Sequence, residues 1–122
     1  MIAYLDGKIL KKTGKEVILE TGNVGYLVHL PVNLLAEVTE GSVQAFFIHT
    51  HVREDMLDLY GFSSFEDLSF FKILLGISGI GPKVASDILS VPSEKIKTAI
   101  LNEDLQAIQK IKGVGPKSAK RI

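Results

Sequence analysis

The residues best placed to do chemistry in this sequence are glycines and lysines, and they occur as a repeat. Ile77-Ser78-Gly79-Ile80-Gly81-Pro82-Lys83-Val84-Ala85 aligns with Ile111-Lys112-Gly113-Val114-Gly115-Pro116-Lys117-Ser118-Ala119 at an offset of 34 residues, with six of nine positions identical. Glycines two apart let the backbone turn tightly and approach a ligand with no Cβ in the way. A proline next suits the first turn of a helix, where its missing N–H would be unpaired in any case. Amides at the start of that helix then point outward with the positive end of the helix dipole behind them, which is an anion site. Lys83 and Lys117 add a mobile charge beside the same place. Ile77, Ile80 and Ala85, with their counterparts Ile111, Val114 and Ala119, are expected to hold each hairpin rigid by packing. Two such turns suit two phosphates of one nucleic-acid groove, contacted without regard to base sequence. The candidate phosphate contacts are Gly79, Ile80, Gly81 and Lys83 in the first copy, and Gly113, Val114, Gly115 and Lys117, with Lys112 and Lys120 beside them, in the second.

One copy alone would read equally well as a plain turn between two helices. It is the shared register of proline and lysine in both copies that favours binding. The offset of 34 also invites a tetratricopeptide reading, but the aromatic and small-residue signature of that repeat is missing. A dinucleotide fingerprint is excluded because Gly79 follows a helix-like segment and Val84 stands where the third glycine belongs. No Gly-Lys-Ser/Thr triplet closes a phosphate loop, so any ATP site belongs to another protein. His49 and His51 share a strand face and could chelate a metal, but cysteine is absent and His29 lies in another strand, so neither a metal nor a cofactor is expected. Hydrolase chemistry has no support, since no Gly-x-Ser-x-Gly elbow occurs. The pairs Glu66-Asp67 and Glu103-Asp104 sit in helix first turns and complement the dipole there.

The elements that must position these residues fall into two halves. The chain has 122 residues, 46% hydrophobic and 23% charged, enough for compact folding and unlike a disordered segment. Its apolar runs fall far short of the roughly 20 residues a bilayer span needs, and its start lacks a secretory signal, so a cytoplasmic location without membrane attachment is expected. Net charge is zero, but residues 1–62 carry five basic and eight acidic side chains, net −3, and residues 63–122 carry nine and six, net +3. Lys110, Lys112, Lys117, Lys120 and Arg121 crowd the last thirteen positions with no acid among them. A polyanion would bind there.

Alternating or β-branched runs predict strands over 2–10, 16–21, 25–30, 43–52 and 56–60, with a short helix over 31–39. Five strands with a helix between the third and fourth suggest an OB-type barrel, a generic small antiparallel sheet being the alternative. Tyr4, Tyr26, Phe46 and Phe47 are expected to fill its core. From Ser63 the period changes to about 3.6. Ser64 caps a helix whose face is Phe65, Leu68, Phe71, Lys72 and Leu75, and Gly76 ends it. Further helices are expected from Pro82 to about Leu89, from Ser93 to near Asn102, around Leu105 to Ile111, and from Pro116. The last shows no C-cap glycine, so the sequence reads as a fragment of a longer protein. The domains are then 1–62, a barrel, and 63–122, a tandem helix-hairpin-helix domain.

The tandem Gly-x-Gly-Pro-Lys hairpins resemble helix-hairpin-helix DNA-binding motifs. Behind an OB-like barrel, together with Met1-Ile2-Ala3-Tyr4-Leu5, Val24-Gly25-Tyr26-Leu27-Val28, Val52-Arg53-Glu54-Asp55 and Leu59-Tyr60-Gly61-Phe62, they resemble the RuvA family over essentially the whole chain. That resemblance implies a non-catalytic subunit, a tetramer or octamer that holds a four-way Holliday junction open while the ATPase RuvB pumps the arms, in association with the resolvase RuvC. It also implies roles in recombination, DNA repair and the SOS response to DNA damage. The family's acidic pin matches Glu54 and Asp55, with Arg53 as a further candidate DNA contact. Adjacent carboxylates in a turn would repel duplex phosphates and favour strands that separate, although an ordinary solvated hairpin turn would look the same. Family members often carry a lysine where Pro116 stands, and the linker and third domain that engage the motor are expected to be missing. A generic helix-hairpin-helix accessory domain of another repair complex, or a barrel that binds single strands, is the competing reading.

Overall fold

The computed structural model describes residues 1–91 and 93–102. The chain forms two compact units, Met1–Leu68 and Ser69–Ile122. The first consists of strands β1 (Tyr4–Lys12), β2 (Glu16–Thr21), β3 (Val24–His29), β4 (Val43–Val52) and β5 (Leu57–Phe62), with helix α1 (Val32–Glu37) between β3 and β4. The strands close in the order β1-β2-β3-β5-β4, antiparallel except for β3 with β5. This is the OB arrangement, as the strand count and the position of the helix lead one to expect.

Alternation decides which residues are inside. Ile9, Val17, Leu19, Val28, Phe46, Ile48 and Leu59 meet in one core, and Leu34, Leu35 and Val38 from and just after α1 join it. A two-residue turn, Gly22 (φ 55) and Asn23 (φ 68), sets the β2–β3 register so that Thr21 faces Val24; left-handed values at both positions match the twist of a hairpin. At Gly7 a Cβ would collide with the Glu20 carbonyl oxygen, so a side chain there would push β1 off β2.

Strand β1 runs two residues later than its pattern suggests. A bulge between Ile9 and Lys11 lets it bend and keep pairing with β2 as far as Lys12. At its start, Ile2 and Ala3 are held to β4 by individual bonds. The Thr50 hydroxyl donates to the Ile2 carbonyl (2.7 Å) and accepts from the Ile2 amide (3.1 Å), and the Ile48 amide donates to the Ala3 carbonyl (2.8 Å).

Beyond the barrel lie α2 (Phe65–Leu75), α3 (Pro82–Ile88) and α4 (Ser93–Leu101). The Ser64 hydroxyl caps α2 by accepting from the Asp67 amide (3.1 Å). The buried stripe of α2 is Leu68, Phe70, Phe71 and Leu74, whereas Phe65 is 62% exposed and Lys72 is exposed. The helix is thus turned from the face its spacing suggested, because two adjacent phenylalanines offer more apolar area than Phe65 with Leu75. In the second unit Ile80, Ala85, Ile88, Leu89 and Ile96 are also buried, and the Lys97 ammonium sits 5.5 Å above the Phe70 ring. The helices expected around Leu105 to Ile111 and from Pro116 lie outside the described residues.

Thr50→Val removes the hydroxyl that satisfies both polar groups of Ile2. We expect a loss of about 1–2 kcal/mol in urea unfolding, with faster amide exchange at Ile2 than at Val17.

Candidate nucleic-acid interface

Between α2 and α3 the chain makes its turn in six residues. The Gly76 amide donates to the Ile73 carbonyl (3.1 Å), Ile77 to Leu74 (3.0 Å) and Ile80 to Ile77 (3.1 Å), a succession of tight turns. Gly79 has φ 87, in the left-handed region, which is why a glycine stands there. Ile80 is only 5% exposed, while Ser78, Gly79 and Gly81 on either side are exposed. One buried isoleucine therefore anchors a loop whose flanking backbone faces solvent.

Gly81 is different. Its φ of −91 and ψ of 178 are extended values that any residue adopts, and a Cβ built there meets nothing within 4 Å. Neither backbone conformation nor packing among the described residues requires a glycine at this position. Pro82 opens α3, and the first helical bond runs from the Ala85 amide to the Gly81 carbonyl (2.9 Å). The amides of Lys83 and Val84 are thereby left without an intrahelical acceptor, and the Lys83 side chain is exposed beside them. Of the expected phosphate contacts, Gly79, Ile80, Gly81 and Lys83 thus share one turn, with Ile80 as its buried anchor. Lys112, Gly113, Val114, Gly115, Lys117 and Lys120 lie outside the described residues.

The second candidate feature is the β4–β5 hairpin. Val52 pairs with Leu57, and the Arg53 amide donates to the Met56 carbonyl (2.8 Å), closing a four-residue tip whose members, Arg53, Glu54, Asp55 and Met56, are all exposed. Among the described residues no ion pair involves Glu54 or Asp55. Arg53 does have a partner. Its Nη2 lies 3.3 Å from Asp58 Oδ2, and the other Asp58 oxygen is 3.8 Å from His29 Nε2. His29 Nδ1 is in turn 3.4 Å from Glu16 Oε2, and its ring stacks on Tyr60 at 5.0 Å. Burial, helped by the negative Asp58, holds the Tyr60 phenol above its ordinary value of 10.0.

None of this cluster is legible in the sequence, where His29 and Asp58 lie 29 positions apart. The parallel β3–β5 pairing, which sets His29 against Tyr60, brings them together. His49 and His51 lie with rings 5.7 Å apart, and among the described residues no group of three or more His, Cys, Asp or Glu could hold a metal.

Two of the four aromatic side chains expected in the core, Tyr4 and Phe47, lie outside it, Phe47 half-buried between the inward Phe46 and Ile48. Phe46 fills the core and Tyr26 packs against it, but Tyr4 is 52% exposed. Inward places on β1 belong to Leu5 and Ile9, and alternation turns Tyr4 outward. Opposite it, Phe47 meets Tyr4 edge-on at 5.4 Å and Phe65 at 5.8 Å. No helix of the described residues is long and apolar enough to cross a membrane.

Comparison with known proteins adds a family frame. The model for the RuvA N terminal domain matches residues 1–61, and that for a SAM-like helix-hairpin-helix tandem matches residues 71–122. Over its whole length the chain is 41% identical to the Holliday junction branch migration complex subunit RuvA of Oleidesulfovibrio alaskensis, 40% to that of Geobacter sulfurreducens and 42% to that of Trichlorobacter lovleyi. It spans 62% of the length of each of these relatives.

The two glycines of the turn should respond differently to alanine. Gly79→Ala forces a Cβ into the left-handed region and should cost about 1–2 kcal/mol of stability, whereas Gly81→Ala should stay within about 0.5 kcal/mol of the parent; thermal unfolding of the two variants checks this.

Proposed function

The chain belongs to the RuvA family, and on that footing we propose that it binds four-way DNA junctions by shape, without reading base sequence, and holds them open for branch migration in recombination and repair. The observation that carries this reading is the exposed Gly79-Ile80-Gly81 turn ahead of Lys83, held by a buried isoleucine and open where glycine is not needed for folding. Phosphate oxygens would accept from the turn amides while Lys83 offsets their charge, contacts that fix position without sequence information. The repeat at Gly113, Val114, Gly115 and Lys117, with Lys112 and Lys120, would supply the second phosphate of the same groove. In this reading residues 1–62 are the barrel domain and residues 63–122 the DNA-binding domain.

Glu54 and Asp55 would act as the acidic pin. Carboxylates at an exposed tip, in no ion pair among the described residues, repel the phosphates of a continuous duplex and tolerate a place where strands part. Four chains around one axis, or eight in two such rings, would concentrate that repulsion at the junction centre. The chain itself would do no chemistry. The ATPase RuvB would supply the motor and the resolvase RuvC the cleavage, in the cytoplasm. Solution mass with and without a junction counts the copies.

A second reading has an observation of its own. Tyr4, Phe47 and Phe65 form a contact cluster on the outside of the barrel, with Tyr4 and Phe65 more than half exposed, and exposed aromatics are what single-strand binding by a barrel requires. Gel-shift competition among a four-way junction, a duplex and a single strand of equal length separates the two. Junction preference supports the hairpin reading, and single-strand preference supports the barrel.

Lys83→Glu combined with Lys117→Glu should weaken binding to every DNA shape alike and reduce the slope of log affinity against log salt by about 2; unchanged binding would remove the hairpins from the contact surface. Glu54→Gln with Asp55→Asn should raise duplex affinity relative to junction affinity, and an unaltered ratio would refute the pin.

A further inference from the structure

A row of carboxylate, imidazole and guanidinium groups crosses the barrel at the base of the β4–β5 hairpin. It runs from Glu16 on β2 to His29 on β3, Asp58 on β5 and Arg53 in the turn, at separations of 3.4, 3.8 and 3.3 Å. Asp58 faces His51 in the β4–β5 ladder, one pair inside Val52 and Leu57. Arg53 lies two positions beyond His51, so Arg53 and Asp58 point to the same face as a diagonal cross-strand pair. The Asp58 side chain is 14% exposed and that of Arg53 is 51% exposed, so the carboxylate is fixed against the barrel and the guanidinium folds back to it. Stacking on Tyr60 fixes the ring of His29, which meets the second oxygen of Asp58 from the far side.

The tip itself is composed differently. It carries one cation, Arg53, and two anions, Glu54 and Asp55, and only the cation has a partner among the described ion pairs. Without the Asp58 charge, a phosphate approaching the tip would meet a net charge of about −1 from Arg53, Glu54 and Asp55, and a mobile guanidinium, the side chain best suited to grip it. With Arg53 offset by Asp58, the same phosphate meets about −2 and no free donor.

We propose that Asp58 is a specificity-determining positioning residue: by pairing Arg53 back onto the barrel it leaves the hairpin tip purely repulsive to phosphate, and so sharpens discrimination between junction and duplex. The role rests on the pin reading above. It assigns Arg53 to the barrel's ion-pair row and not to the DNA backbone. Glu16 and His29 support the arrangement by holding Asp58 from the other side.

The test measures dissociation constants for a four-way junction and for a duplex of equal length, in low and high salt, with the intact chain. Asp58→Asn should lower the duplex-to-junction ratio by about threefold or more, through tighter duplex binding by the released arginine. The double variant Arg53→Gln/Asp58→Asn should restore the parental ratio, and the difference between single and double variants should shrink as salt screens it. A merely structural role for Asp58 would change melting temperature without that rescue, and would overturn the proposal. Arg53→Gln alone provides a second check that does not depend on Asp58→Asn folding. It should leave both affinities within about twofold of the parent, whereas loss of junction binding would make Arg53 a DNA contact and overturn the assignment. Glu54→Gln/Asp55→Asn separates the two levels: if it shifts the ratio while Asp58→Asn does not, the pin stands and Asp58's role falls. If neither shifts it, both fall.

Discussion

The parallel contact between β3 and β5 is the link on which the first unit depends. The other pairings are antiparallel; β1 with β2, β2 with β3 and β4 with β5 are consecutive hairpins, and β3–β5, together with β1–β4, joins those hairpins into a ring. Closure sends Val28 and Leu59 inward and His29 and Tyr60 outward. The outward pair then carries the acid, imidazole and guanidinium groups at the root of the β4–β5 hairpin. The electrostatics of the tip are therefore a product of strand order, and the apolar core and the charged row are opposite faces of one ladder.

The turn between α2 and α3 applies the same economy to backbone groups. Burial of Ile80, whose amide donates to the Ile77 carbonyl, fixes the loop without using the amides of Gly79, Gly81 or Lys83. Apolar burial, which is non-directional, holds the turn in place, and the directional donors remain free for a ligand. Division of labour between burial and hydrogen bonding lets a loop be both rigid and reactive. In the first unit the sharing is reversed, for at the root of the β4–β5 hairpin Asp58 offsets Arg53 and the tip is left with the carboxylates of Glu54 and Asp55.

Much of this was legible in the sequence, for physical reasons. Period-two runs, a helix between the third and fourth strands and the duplicated glycine turn each leave a local pattern, and local patterns survive folding. The departures come from effects that no window of neighbouring residues contains. The bulge in β1 depends on how far the strand must bend to close a ring. The rotation of α2 depends on Phe70 and Phe71 competing with Phe65 for burial. Tyr4 reads as core by its type and turns out by its parity. The approach of His29 to Asp58 needs the strand order before it can be seen at all. For the candidate site, the first turn and the tip carboxylates were read directly from their residues, and the partner that governs Arg53 was not.

The placement of the tyrosines has an optical consequence. Tyr4, Tyr26 and Tyr60 all belong to the unit Met1–Leu68, and the chain contains no tryptophan. Absorbance and emission in the tyrosine band consequently report on the first unit alone, since the second contributes only the weaker, shorter-wavelength absorption of Phe70 and Phe71. A melting curve followed by tyrosine signal and one followed by helical ellipticity, which is weighted towards the second unit, would differ in midpoint only if the two units unfold separately.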